Sequence, residues 1–299
     1  MVDDRNRMVP RQRAVLVTGA SSGFGLQIAR RLADSGFFVY AGVRTPLDVE
    51  RLDLEGKIKA VLLDVTRNSQ IQSAHHEVEK EGRGLWGIVN NAGVYNKASL
   101  VRGTIQAIEH TFDVNVFGAM RVNAAFIGMI EDSGGRTTCI GSVDGIRASG
   151  SDGGYSASKA ALSAYADSLA AEYSDSEVHV SIIESGEFRS EIRRKILQQI
   201  MTALSAGEIS MSDSERRELI RTELGNRKLD EPRKVADAVL HVMTSKAPRR
   251  RYMIVPNERR ASRTIEAALH RVVELNFGHE YSYQFDELAT LLYEQYNDG

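Results

Sequence analysis

Residues 14–25 read Ala-Val-Leu-Val-Thr-Gly-Ala-Ser-Ser-Gly-Phe-Gly, a short apolar run followed by a loop of small residues. The apolar run predicts a buried strand, and the small residues let the backbone turn tightly and approach a pyrophosphate closely. Apolar residues then recur at helical spacing over 24–35 until Gly36 ends the helix. A glycine-rich loop between a strand and a helix indicates a dinucleotide-phosphate site far more strongly than the loop alone. A turn with a purely structural role is the alternative.

The rest of the chain repeats this alternation of strand and helix. We predict further strands at 37–41, 60–64, 86–90, 137–141, 178–183 and 252–255, and further helices near 68–80, 104–129, 155–173 and 232–244. Strands that alternate with helices of roughly 10–15 residues indicate βαβ units and a parallel sheet. The predicted fold is therefore α/β: a Rossmann-type, doubly wound, seven-stranded parallel sheet with helices on both faces.

We assign residues 1–299 to a single Rossmann-type domain with three distinct segments. Residues 1–12 are polar and mixed in charge, so we expect a disordered tail. Apolar residues recur every four positions after Gly186, and we interpret 186–230 as a helical substrate lid, with plain helical packing as the alternative. Two more amphipathic segments over 256–299 predict a C-terminal helical extension of the same domain.

The composition bounds the possible partners and surroundings. With 42% hydrophobic and 26% charged residues and a net charge of −2, the chain is typical of a soluble globular protein, and we expect no nucleic-acid binding. No apolar run approaches the roughly 18 residues of a membrane span. The single cysteine, Cys139, excludes an intrachain disulfide and suits a reducing compartment, so we expect a cytoplasmic protein. The histidines are scattered, and we expect no metal site.

Tyr155 and Lys159 are spaced one helical turn apart on a predicted helix, and Ser142 lies upstream at the end of a predicted strand. Positions i and i+4 share one helix face. A lysine ammonium favours the phenolate and so lowers the pKa of a neighbouring tyrosine, while a serine hydroxyl can hold a substrate oxygen. This set predicts general acid–base chemistry on an alcohol or a carbonyl. The alternative is a chance pair on a helix surface.

Val43 and Arg44 end the second predicted strand, where many dinucleotide-binding proteins carry an acid for the adenosine ribose. Val43 takes the place of that acid, and the guanidinium of Arg44 suits a 2′-phosphate. We therefore predict a preference for NADP(H), with NAD(H) possible. An ordinary surface arginine is the alternative.

With these motifs in order, the sequence resembles the short-chain dehydrogenase/reductase family over about residues 12–260. The resemblance implies four catalytic residues: Asn115, Ser142, Tyr155 and Lys159. It implies that Lys159 binds the nicotinamide ribose and that Asn115 supports a water chain for the proton. The cofactor-binding residues that the motifs and the resemblance indicate are Gly19, Ser21, Ser22, Gly23, Phe24, Gly25, Arg44, Asp64, Val65, Asn91, Ala92, Gly93, Tyr155, Lys159, Gly186, Phe188 and Ser190.

The chain departs from the family pattern after the sixth strand. The family commonly has Pro-Gly there and a threonine four residues after that glycine, but this chain has Ser185 and Ser190 in place of the proline and the threonine. Ser190 keeps the hydroxyl that would contact the nicotinamide carboxamide. The missing proline leaves the loop less restricted in φ.

Segments 84–94, 164–169 and 180–184 are similar to retinol dehydrogenases and 17β-hydroxysteroid dehydrogenases. This branch implies a bulky lipophilic alcohol or carbonyl as substrate, and related enzymes imply a homodimer or homotetramer. Candidate substrate contacts are Ser142, Asp144, Tyr155 and Glu187. Because Asp144 and Glu187 are polar, a ketoacyl- or sugar-type carbonyl reductase is a second interpretation. A non-catalytic protein that senses a nicotinamide cofactor is a third.

Overall fold

The computed structural model of the protein describes residues 12–298 except for 54–55, 57, 96–99, 102–103, 149, 151, 190–199, 203, 208–209, 215, 218–219 and 222–231. Its strands are β1 (Ala14–Thr18), β2 (Phe38–Val43), β3 (Ile58–Leu62), β4 (Gly87–Asn90), β5 (Arg136–Ser142), β6 (His179–Ser185) and β7 (Arg251–Ile254). Its helices are α1 (Gly23–Asp34), α2 (Pro46–Asp53), α3 (Asn68–Lys80), α4 (Ile105–Phe112), α5 (Gly118–Ser133), α6 (Val143–Ile146), α7 (Gly153–Glu172), α8 (Arg233–Thr244), α9 (Glu258–Asn276) and α10 (Phe285–Asp298).

In the described residues, seven strands form one parallel sheet in the order β3-β2-β1-β4-β5-β6-β7. The predicted doubly wound α/β fold is therefore confirmed. The chain order reverses between β1 and β4, and open α/β sheets bind ligands outside the carboxyl ends of their strands at such a point. The glycine-rich loop after β1 lies there.

Alternate residues of β1 enter the cores on the two faces of the sheet. Val15 and Val17 pack with residues of α1 and α8, whereas Leu16 packs with residues of α3 and α5. Parallel sheets covered on both faces need apolar side chains on both sides of each strand. This is why β1 reads as a continuous apolar run rather than as an alternation.

One predicted helix is interrupted, and the short helices α2 and α6 are unpredicted. The helix expected over 104–129 divides into α4, a π-helical turn at Asp113–Phe117, and α5. A π turn adds one residue to a single helical turn, and the apolar spacing of this segment does not reveal it. Helix α2 is short and mostly polar, so hydrophobic periodicity gives no signal for it.

The chain divides into two compact units, Met1–Pro256 and Asn257–Gly299. The first contains the sheet and α1–α8. The second contains α9 and α10, joined by a turn in which the Asn276 side chain pairs with the backbone N–H and C=O of Tyr283, both at 2.9 Å. The assignment of 1–299 to one domain stays a prediction. The expected tail over 1–12 and much of the expected lid over 186–230 lie outside the described residues.

Candidate active site

The loop between β1 and α1 has the backbone of a phosphate cradle. Gly19 and Gly23 adopt φ angles of 65° and 58°, which L side chains rarely adopt. A Cβ on Gly19 would lie 2.9 Å from the Cα of Ala92, whereas a Cβ on Gly23 would meet nothing within 4 Å. The loop is therefore closed against the segment after β4 and open where Ser22 precedes α1. An open loop that leads into a helix N-terminus fits the phosphates of a dinucleotide.

Thr18 and Asn91 hold this loop against the end of β4. The Thr18 hydroxyl accepts hydrogen bonds from the backbone N–H groups of Asn91 and Ala92, both at 3.0 Å. The Asn91 side-chain amide donates to the carbonyl oxygens of Thr18 at 2.8 Å and Gly19 at 3.2 Å. A Cβ on Gly25 would collide with the Gly19 carbonyl oxygen. The residues predicted around β1 and β4 thus form one connected surface.

Asp64 follows β3, at the carboxyl ends of the parallel strands, where the glycine-rich loop also lies. Its Oδ1 accepts hydrogen bonds from the Thr66 backbone N–H at 2.9 Å and from the Thr66 hydroxyl at 2.7 Å. Burial alone would raise the pKa of Asp64, but the Thr66 hydrogen bonds and the charges of Arg44 and Arg67 outweigh it and lower the pKa. Asp64 is therefore an ionised acceptor at neutral pH. Val65, next in sequence, is buried against α5.

The end of β2 carries cations rather than an acid. Val43 is fully buried and Arg44 is exposed. Arg51 of α2 donates a hydrogen bond from Nη2 to the Ser21 carbonyl oxygen at 2.7 Å and another to Asp48 at 3.0 Å. Sequence reasoning missed Arg51 because α2 was not predicted.

Asn115 lies in the π-helical turn between α4 and α5 and is buried. Its Oδ1 accepts a hydrogen bond from the Val94 backbone N–H at 2.7 Å, and its Nδ2 donates to the Val94 carbonyl oxygen at 3.0 Å. The same Nδ2 donates to the Ser158 hydroxyl at 3.0 Å, which in turn donates to the Tyr155 carbonyl oxygen at 2.7 Å. Asn115 thus ties the segment after β4 to helix α7.

Lys159 is buried on α7, and its Nζ donates a hydrogen bond to the Ile140 carbonyl oxygen at 2.8 Å. Nζ lies 5.8 Å from the ring centroid of Tyr155. A Cβ on Gly93 would lie 3.4 Å from Asn115 Oδ1 and 3.8 Å from Lys159 Nζ, so Gly93 lies close to both groups. The structure therefore brings Asn115, Tyr155 and Lys159 together. Burial lowers the pKa of Lys159 to about 8.

Ser142 ends β5 and is buried two residues beyond the carbonyl that anchors Lys159. Its hydroxyl accepts a hydrogen bond from the Asp144 backbone N–H at 3.1 Å and so caps the short helix α6. Asp144 accepts a hydrogen bond from Arg147 Nη2 at 3.2 Å. Burial raises the pKa of Asp144; Arg147 opposes this rise, whereas the charges of Glu187 and Asp152 add to it.

Tyr95 lies beside Tyr155, and sequence reasoning missed it as a site residue. The Tyr95 ring meets the Tyr155 ring edge-on, with centroids 5.1 Å apart. The Tyr95 hydroxyl donates a hydrogen bond to Asp152 Oδ1 at 2.7 Å. The only sequence signal for Tyr95 is its position just after the segment that follows β4.

The loop after β6 returns to the phosphate loop. Phe188 is buried and packs edge-on against Phe24 of α1, with centroids 6.1 Å apart. The Gly186 backbone N–H donates to the Ile254 carbonyl oxygen at 2.8 Å, which fixes the loop beside β7. Glu187 is half-buried. Ser190, the predicted carboxamide contact, lies outside the described residues.

The sheet order and the glycine-rich loop at its switch point define a doubly wound protein of the nucleotide-binding class. The family model "short chain dehydrogenase" matches residues 13–200. The chain belongs to this family and is an oxidoreductase.

Curated relatives include an oxidoreductase and two dehydrogenases. YbbO of Escherichia coli strain K12, named an uncharacterized oxidoreductase, is 33% identical over 245 residues, 81% of this chain and 86% of that protein. Mouse retinol dehydrogenase 16 is 37% identical over 58% of this chain, and mouse estradiol 17-beta-dehydrogenase 2 is 34% identical over 63%. The matches span 56% and 51% of those two proteins, about half their length. The predicted resemblance to this branch is confirmed.

Solved structures share the fold. A short-chain dehydrogenase from Streptomyces avermitilis superposes with a TM-score of 0.69 at 22% identity, covering 88% of this chain and 93% of that one. A short chain dehydrogenase from Burkholderia cenocepacia J2315, in complex with NADP, superposes with a TM-score of 0.67 at 21% identity, covering 88% and 95%.

Among the described helices, none has the length and apolar character that crossing a membrane requires. Within the part of the chain that the structure describes, no three His, Cys, Asp or Glu side chains are grouped so as to hold a metal ion.

Proposed function

We propose that this protein is an NAD(P)(H)-dependent oxidoreductase that interconverts a primary or secondary alcohol and its aldehyde or ketone. The observation that carries the proposal is the placement of Lys159, a buried ammonium anchored on Ile140 and 5.8 Å from the Tyr155 ring centroid. A buried lysine with a lowered pKa beside a phenol is typical of functional sites.

Each of the four proposed catalytic residues has its own role in proton transfer. A bound nicotinamide supplies the hydride acceptor or donor. Tyr155 gives its proton to the carbonyl oxygen in reduction and removes it in oxidation. The Lys159 ammonium stabilises the phenolate and hydrogen-bonds the nicotinamide ribose, while Ser142 holds the substrate oxygen. Asn115 supports a water chain that carries the proton onward from Lys159.

The cofactor contacts come from four segments of the chain. Residues 19–25 would hold the phosphates, Asp64 and Val65 would contact the adenine, and residues 91–93 would contact the cofactor beyond β4. Gly186, Phe188 and Ser190 would complete the site, with the Ser190 hydroxyl as the proposed contact of the nicotinamide carboxamide. We propose that NADP(H) is preferred and that NAD(H) is possible. This is supported by the exposed Arg44 after the buried Val43 and agrees with the NADP complex of the Burkholderia neighbour.

The proposed substrate is a bulky lipophilic alcohol or carbonyl, because the dehydrogenase relatives are named for retinol and estradiol. One observation favours a second candidate. Asp144, paired with Arg147, lies beside Ser142, and such a polar group suits a ketoacyl- or sugar-type carbonyl. We propose contacts from Ser142, Asp144, Tyr155 and Glu187, and a lid formed by 186–230.

We also propose a cytoplasmic homodimer or homotetramer. Ile105 of α4 and Phe117 of the π-helical turn are 59% and 48% exposed, which supports helix pairing between subunits on this side of the sheet. Light scattering coupled to size-exclusion chromatography tests the assembly, and a monomer at micromolar concentration would contradict it.

A substrate panel tests the proposed function. The full-length protein is assayed with retinol, estradiol, a ketoacyl thioester and a sugar-like ketone, each with NADP(H) and NAD(H), and the absorbance of reduced nicotinamide is followed. We expect turnover of at least one lipophilic substrate. Cofactor binding without turnover of any member would instead favour the cofactor-sensing alternative.

A further inference from the structure

Glu184 of β6 is a fully buried carboxylate that the proposed reaction does not use. In the register of β5 and β6 it lies opposite Gly141. Gly141 directly follows Ile140, whose carbonyl oxygen accepts the hydrogen bond of Lys159. Burying a carboxylate is costly unless it is paired and hydrogen-bonded. The placement of Glu184 beside the anchor of Lys159 therefore calls for a reason.

Polar side chains connect Glu184 to the protein surface. Glu184 Oε1 accepts a hydrogen bond from the Ser163 hydroxyl at 3.0 Å and forms an ion pair with Arg251 Nη1. Arg251 also donates to Ser163 at 2.7 Å and to Asp167 at 2.7 Å, and the Asp167 side chain is 50% exposed. Lys159, Ser163 and Asp167 follow one another at i+4 spacing, so they share one face of α7.

The second carboxylate oxygen, Oε2, lies against the backbone of β5. A Cβ on Gly141 would collide with it, so glycine at this position makes room for the carboxylate. The backbone N–H of Ser142, the next residue of β5, also favours the ionised form of the carboxylate. The titratable groups around Glu184 belong to three elements: Lys159 on α7, Cys139 on β5 and Arg251 on β7, with Asp167 beyond Arg251.

Glu184 and Lys159 stabilise each other's charged forms. Burial lowers the pKa of Lys159, and the charge of Glu184 is the strongest opposing influence, ahead of Cys139. Burial likewise raises the pKa of Glu184, and Arg251, the Ser163 hydroxyl and Lys159 oppose that rise. The ion pair with Arg251 thus favours a carboxylate that can act on Lys159.

We propose that Glu184 is a positioning residue, the counter-charge that keeps Lys159 protonated in its buried place while Lys159 assists Tyr155. Arg251 and Ser163 hold the carboxylate in its ionised form. Gly141 has no side chain, which leaves space for the carboxylate beside the backbone of β5. This inference rests on the proposed function, since that function gives Lys159 its part in proton transfer. The coupling between the two charges, however, exists without substrate.

The test titrates Lys159 directly in the full-length protein. Lysine side chains are labelled with carbon-13, the Lys159 signal is assigned with Lys159→Met, and its chemical shift is followed against pH. In Glu184→Gln the pKa of Lys159 is expected to fall by about one unit, because a neighbouring opposite charge is lost. In Glu184→Asp, which keeps the charge, the pKa is expected to return toward the wild-type value. The acid limb of the pH profile for alcohol oxidation is expected to shift to higher pH in Glu184→Gln, because a less protonated Lys159 stabilises the Tyr155 phenolate less.

Asp167→Asn is the matched control. It removes the exposed carboxylate at the far end of the same network, so it is expected to leave the pKa of Lys159 unmoved. Thermal unfolding of each variant reports the purely structural cost. If Glu184→Gln does not fold, the neutral Glu184→Ala carries the test, with a fall of the same direction expected because the same charge is lost. An unchanged pKa of Lys159 in a folded variant that lacks the carboxylate would overturn this inference and leave the proposed function standing. An inactive wild type with the coupling intact would refute only the proposed function.

Discussion

Replacing Arg44 by alanine is expected to remove most of the preference for NADP(H). Arg44 follows the buried Val43 at the end of β2, and its charge acts on the nearby Asp64. A hydrogen bond to a charged group contributes about 1.5–3 kcal/mol. Because Arg44 is exposed, solvent and salt screen the contact, and the lower limit of that range applies. A loss of about 1.4 kcal/mol is a tenfold change in affinity.

The assay is a titration of the protein with NADPH and with NADH, followed by nicotinamide fluorescence. The apparent Kd for NADPH is expected to rise about tenfold in Arg44→Ala, by the same conversion, while that for NADH stays unchanged. The difference between wild type and variant is expected to shrink as ionic strength rises.

Arg83→Ala is a matched control for Arg44→Ala. Arg83 stacks over Phe38 at the opposite end of the same strand, with the guanidinium carbon 4.1 Å from the ring centroid. Its replacement is expected to change neither affinity. An unchanged ratio of the two affinities in Arg44→Ala would refute the assignment of Arg44 to the 2′-phosphate.

Three further outcomes are expected. Gly19→Ala places a side chain at a φ of 65° and against the Cα of Ala92, which costs about 1–2 kcal/mol of strain. Cofactor affinity, measured by calorimetry, is therefore expected to fall about tenfold. As a control, Gly128→Ala at an exposed position of α5 is expected to raise the free energy of unfolding by roughly 1 kcal/mol. Phe126→Ala empties a fully buried site and is expected to cost about 3–5 kcal/mol in chemical denaturation; a cost below about 1 kcal/mol would contradict the described packing. The pKa of Lys159 is lowered from 10.5 to about 8, so as pH rises the native state loses this proton before the unfolded state does. Between these two pH values the free energy of unfolding is therefore expected to increase with pH. The turnover rate is expected to fall over the same range, because Lys159 loses its charge. Lys159→Met is expected to abolish this contribution to the pH dependence of unfolding.

The fold was predictable because its signals are local. Both faces of a parallel sheet are buried, so each strand is a short apolar run, and the β1 sequence 14–18 already has that form. The π-helical turn at Asp113–Phe117 was not predictable, because the apolar face continues through it. Helix α2 is fixed by the sheet edge that it covers rather than by a hydrophobic stripe of its own.

The candidate site was predictable where a motif keeps a fixed spacing. The helical spacing of Tyr155 and Lys159 is of this kind, and the position of Asn115 came from the family resemblance. Glu184 was not predictable, because its ion-pair partner Arg251 lies 67 positions further along the chain and only the β5–β6–β7 pairing brings the two together. Tyr95 likewise acquires its contact with Tyr155 only through the tertiary fold.

The most direct test of the central claim is hydride transfer in Tyr155→Phe. The aromatic ring and its edge-on contact with Tyr95 are retained, and only the hydroxyl group that carries the proton is removed. Cofactor affinity is expected to stay within about twofold of wild type, since a hydrogen bond of this kind contributes little to binding. Turnover of the substrate identified in the panel is expected to fall by about a factor of 10²–10⁴ or more. Turnover close to that of the wild type would contradict the assignment of Tyr155 as the acid–base residue.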